Sequence, residues 1–132
     1  RRDETSRAGR FYSRAMKHVL LALMLIANPV FAEEPVIENV TVTRTAPETY
    51  RFDVTISHPD TGWDHYADGW RVLDMEGNEL GMRVLFHPHV EEQPFTRSLS
   101  GVIIPDGTTQ VQVQARDLPE GWNAGTTIVD LR

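Results

Sequence analysis

From residue 50 to residue 57 apolar and polar side chains alternate without interruption. Tyr50, Phe52, Val54 and Ile56 stand against Arg51, Asp53, Thr55 and Ser57. Successive side chains of an extended chain point to opposite faces, so this period of two reads as a half-buried strand and excludes an amphipathic helix. His58 continues the apolar, inward phase. The pattern recurs: Val40 and Val42 against Thr41 and Thr43, Met82, Val84 and Phe86 in one phase, and Val111, Val113 and Ala115 against Gln110, Gln112 and Gln114. Turn residues separate the runs, among them Glu76-Gly77-Asn78 and Pro105-Asp106-Gly107. The expected strands are 36–44, 50–58, 70–74, 80–86, 95–104, 109–116 and 126–131. No segment has helical periodicity. The expectation is therefore an all-β, seven-stranded antiparallel sandwich.

The first third of the chain reads differently. Residues 16–32 run MKHVLLALMLIANPVFA: a short polar start at Lys17 and His18, nine apolar residues from Val19 to Ala27, then Val30-Phe31-Ala32 as a cleavage site. This is the pattern of a secretory signal peptide, cleaved after about Ala32. The run falls short of the ~20 residues of a membrane span, so no span is expected in the mature form. Residues 1–15, upstream of Met16, read as an extension from a mis-assigned start. The β-sandwich domain is then 33–132, and the expected location is periplasmic or secreted.

Charge narrows the partners. The whole chain carries a formal −6, but residues 33–132 hold seven arginines, no lysine and 17 acids, a net −10. Such a surface repels nucleic acid and attracts cations or basic proteins. There is no cysteine, so neither disulfides nor thiolate metal sites enter the argument.

Two features resemble immunoglobulin-like and fibronectin-III-like bacterial domains. Trp70 opens the third strand, as such domains place a core Trp on strand C, and LSGVIIPDGTTQVQVQARD resembles their E–F hairpin. The cysteine pair of immunoglobulin domains and the tyrosine of the tyrosine corner are absent. The resemblance implies a fold and no activity.

Antiparallel neighbours send alternate connections to opposite poles. One pole then receives the ordinary turns. The other receives HPDTGWDHYADG, HPHVEEQP and DLPEGWNAG, and with them all four histidines after residue 32. Long loops on a rigid scaffold are where sandwiches carry function. His87-Pro88-His89 puts two imidazoles on one side of an extended chain, with His65 and His58 arriving on the neighbouring loop. These four are the candidate metal ligands, in that order, for a copper- or zinc-like ion. Trp63, Tyr66 and Trp122, with Arg97, Glu91 and Asp117, form a candidate ligand or partner surface. Arg97 is expected to pair bidentately with a carboxylate that ties loops together.

The leading reading is a small exported binding module for a metal ion. A second is a non-catalytic accessory domain that binds a protein of the cell envelope, and a third is carbohydrate binding through Trp63 and Trp122. Catalysis is not expected. Asp64, Asp68, Glu91 and Glu92 could pair as in glycosidases, but 100 residues leave little room for a cleft, and Ser98 and Ser100 lack a nucleophile elbow.

Overall fold

The computed structural model describes residues 33–131. The expected extension 1–15 and signal peptide 16–32 lie outside the described residues. The described residues form eight strands and no helix: β1 (Val36–Ala46), β2 (Thr49–Ser57), β3 (Tyr66–Leu73), β4 (Glu79–Val84), β5 (Phe95–Ile103), β6 (Gln110–Leu118), β7 (Gly121–Trp122) and β8 (Thr127–Asp130). Two antiparallel sheets result. One has three strands in the order β1-β2-β5. The other has five, β4-β3-β6-β7, with β8 also paired to β6. No helix among the described residues is long and apolar enough to cross a membrane.

Alternation does what period two requires. Phe52, Val54 and Ile56 of β2 are buried, as are Val111, Val113 and Ala115 of β6. These inner faces meet with Trp70, Val72, Phe95, Val102 and Ile104 in one apolar cluster. Trp70 lies opposite Ala115 in register, so its bulk fits over a methyl group. Replacing so large a buried ring by alanine costs about 3–5 kcal/mol.

Both central strands carry the inward phase one step beyond the apolar residues. On β2 the next inward position is His58, and on β6 it is Asp117; both are buried. The register sets both at the same pole. Ile56 pairs with Phe95 at the start of β5, and Leu118 pairs with Tyr66 at the start of β3. The connections 58–65, 85–94 and 119–120 share that pole, and 47–48, 74–78 and 104–109 occupy the other.

The observed strands correct the expected ones in three places. There are eight, because the stretch expected as a loop over 117–125 first continues β6 through Leu118, then turns at Gly121, whose φ of +90° suits glycine, and pairs Gly121 and Trp122 back onto Asp117 and Arg116. A two-residue strand has no period to read. β3 begins at Tyr66 and not at Trp70. Asp68 and Gly69 hide it in the sequence, but Asp68, at a shift of register between Ala67 and Gly69, is bound to the Arg116 side chain of β6 through contacts of 3.0 and 2.9 Å. β4 stops at Val84, so Phe86 and the histidines after it leave the sheet.

Candidate functional site

Three side chains meet at the loop pole. His58 ends the inward phase of β2, and Asp117 ends that of β6. His65 is delivered by a tight turn: its amide donates to the Gly62 carbonyl at 3.2 Å, and it accepts from the Thr61 amide at 3.0 Å. Gly62 has φ +153°, a conformation open to glycine and strained for other residues. The two imidazoles pack edge to face with centroids 4.7 Å apart. Each Nε2 lies 3.2 Å from Asp117 Oδ2.

The bonding of these atoms is unusual. His58 Nε2, His65 Nε2 and Asp117 Oδ2 are all buried, and none has a hydrogen-bond partner of acceptable geometry. Buried polar atoms are normally paired. Here three potential ligand atoms are left over in one place, all within 4.8 Å of one another. Burial pushes the Asp117 carboxyl above the usual carboxylate range. Nearby Glu120 pushes the same way, and His58 and His65 pull it partly back.

Behind this group sits Asp60, which sequence reasoning missed. It is buried. Its Oδ1 lies 2.5 Å from His58 Nδ1 and accepts the Ala67 amide at 2.9 Å; its Oδ2 accepts the His89 amide at 2.7 Å. Gln93 sews the same two loops together, accepting from the His58 amide at 2.9 Å and donating to the His89 carbonyl at 2.8 Å.

His87 and His89 form a second pair, with ring centroids 4.6 Å apart. His87 is exposed, and its Nδ1 lies 3.2 Å from the Pro88 carbonyl. His89 is buried and stacks on Phe95 at 3.9 Å. Its Nε2 is 2.9 Å from Arg97 Nη2. A guanidinium only donates, so that nitrogen is the acceptor and its lone pair is taken. Burial first, then the charges of Arg97 and His87, hold the His89 imidazole below its ordinary pKa, against Asp60 and Glu92.

The remaining candidates are dispersed. Trp63 is 66% exposed and stands edge-on to the buried Tyr66, centroids 5.7 Å apart. Trp122 lies under two guanidinium groups, Arg71 at 3.9 Å and Arg116 at 5.2 Å from its ring centre. The two indoles thus have different partners. Glu91 is exposed in the 85–94 loop. Arg97 reaches Glu92 with one nitrogen at 3.1 Å and donates to the Thr96 carbonyl at 2.7 Å. A two-nitrogen pair with a carboxylate, expected of Arg97, is made by Arg116 with Asp68; Arg97 shares Nη2 between Glu92 and His89 and gives Nη1 to the Thr96 carbonyl.

Two imidazoles and a carboxylate are a donor set suited to zinc, copper or iron, and three protein ligands leave a further coordination position for water or another ligand. No family model matches the chain, and no solved structure does. A protein of Halomicrobium mukohataei named "Putative lipoprotein" is 39% identical over 92 residues, which is 70% of this chain and 45% of that protein. The chain therefore spans less than half the length of this relative.

Proposed function

We propose that this chain is an exported β-sandwich module that binds one divalent transition-metal ion, of zinc or copper type, through His58, His65 and Asp117. The observation that carries the reading is the convergence of three buried, unpartnered donor atoms within 4.8 Å. A bound ion would satisfy all three at once. The net charge of −10 over residues 33–132 favours cation capture. Compared with the sequence reading, the ligand set exchanges His87 and His89 for Asp117.

Export is supported by the signal-like segment 16–32 and by the name of the Halomicrobium mukohataei relative. The strand order β1-β2-β5 facing β4-β3-β6-β8 supports the immunoglobulin-like, fibronectin-III-like reading of the sandwich. The module is read as accessory and non-catalytic.

Calorimetric titration of the full chain with zinc(II) and copper(II), after metal analysis of protein purified without a histidine tag, tests the proposal. We expect one equivalent bound with a Kd of about 1 μM or tighter, roughly −8 kcal/mol. The His65→Ala and Asp117→Asn variants should lose it, and the His87→Ala/His89→Ala double variant should keep it. Uptake that survives Asp117→Asn and vanishes in the double variant would overturn the ligand assignment.

A second reading rests on a separate observation. Trp63, Phe86 and Val90 are exposed in the loops of the same pole, beside the exposed acids Asp64, Glu91 and Glu92. Exposed apolar side chains among acidic ones suit a basic face of an envelope protein. That reading is favoured if the full chain binds no metal, and Trp63→Ala should then weaken association with the partner.

A further inference from the structure

We infer that Asp60 is the positioning residue of the ion site proposed above. It fixes which nitrogen of His58 carries the proton, and it links the site to the 85–94 loop. The inference rests on that proposal for its ion, but its own geometry can be tested without one.

His58 Nδ1 and Asp60 Oδ1 lie 2.5 Å apart. Two bare acceptors repel at that separation, so a proton lies between them. Asp60 already accepts backbone amides from Ala67 on Oδ1 and from His89 on Oδ2. Both of its oxygens therefore already act as acceptors, as a carboxylate's do. The proton therefore belongs to Nδ1, and His58 donates it. A neutral imidazole carries one N–H, so Nε2 is left with a lone pair. That is the atom aimed at His65 and Asp117, buried and without a partner. The opposite tautomer would put a hydrogen on Nε2 with no aligned acceptor and face two lone pairs across the Nδ1 contact. A histidine ligand whose second nitrogen is held by a carboxylate has its ring orientation fixed and its basicity raised.

The second carboxylate oxygen gives Asp60 a wider role. Through the His89 amide at 2.7 Å it holds the 85–94 loop, and through Ala67 it holds the start of β3. An ion on His58 Nε2 withdraws electron density from the ring and strengthens the Nδ1–H donation to Asp60. Occupancy is then felt at His89, on a loop that supplies no ligand.

Uniformly 15N-labelled full chain, stripped of metal at about pH 8, above the ordinary imidazole range, is examined by two-bond proton–nitrogen correlation. The expected result is His58 with a protonated Nδ1 and an unprotonated Nε2. A protonated Nε2 would overturn the inference. Asp60→Asn should shift His58 toward a mixture of tautomers and weaken zinc binding ~10–100-fold. If that variant does not fold, zinc added to the wild type still decides the second half: exchange of the His89 amide should slow, and unchanged exchange at full occupancy would overturn the link to the loop. Failure of the wild type to take up zinc, with His58 in the expected tautomer, would sink the ion reading and leave the positioning role standing.

Discussion

The pole carries two histidine pairs, and they face groups of opposite charge. His58 and His65 have ring centroids 4.7 Å apart; His87 and His89 have them 4.6 Å apart. Residue type, spacing and pole are the same. The first pair converges on a buried carboxylate, Asp117, which offers a further lone pair. The second meets a guanidinium, Arg97, which consumes one. Proximity of imidazoles therefore does not by itself leave ligand atoms free. The charge and donor capacity of the group across from them decides whether lone pairs are left free.

The largest effect expected from this contrast is on stability. His58→Ala leaves the buried Asp60 carboxylate without its imidazole donor, and leaving a buried charged group short of a hydrogen bond costs about 3 kcal/mol. His87→Ala, at an exposed ring, should stay within ~0.5 kcal/mol. Urea unfolding of the two variants checks this, and equal effects would erase the distinction between the pairs.

Asp117→Asn sharpens the comparison further. Burial raises the Asp117 pKa, so the native state holds its proton more tightly than the unfolded chain does. Ionised Asp117 thus opposes folding at neutral pH, and the cost is relieved as pH falls through the raised value. A neutral isostere should leave the metal-free Tm unchanged or higher while removing its rise on zinc addition. A fall of many degrees in the metal-free Tm would mean that the carboxylate is there for structure.

The smallest expected effect is at His89. Its native pKa lies below the ordinary value, with Arg97 one cause after burial. Protonation therefore opposes folding. The contribution of this group is complete above about pH 6.5 and is lost as pH falls through the native value. Arg97→Ala should raise the His89 pKa toward the ordinary range, read by NMR titration, and make the loss of stability on acidification shallower. An unchanged pKa would show that Arg97 does not hold the Nε2 lone pair.

Much of the architecture was legible because burial follows period two. The β2 and β6 alternations locate both inner faces, and turn residues locate both poles. His58 was visible as the continuation of β2. The same rule applied to Val111, Val113 and Ala115 would have reached Asp117, which reads as a loop residue only if the strand is ended two residues early. The His87-Pro88-His89 spacing does bring its two rings together, but outside the sheet, since the chain leaves β4 after Val84. Asp60 had no periodic signature. Its role comes from two loops meeting in space, and so do the partners of Arg97. The two-residue β7 was hidden for the same reason: it exists through pairing with β6.

Diffraction from zinc-soaked crystals of the full chain, recorded at the zinc absorption edge, tests the central claim most directly. The account requires one anomalous peak about 2.0–2.1 Å from Nε2 of His58, Nε2 of His65 and a carboxylate oxygen of Asp117. A peak on His87 and His89, with none between His58, His65 and Asp117, would contradict it.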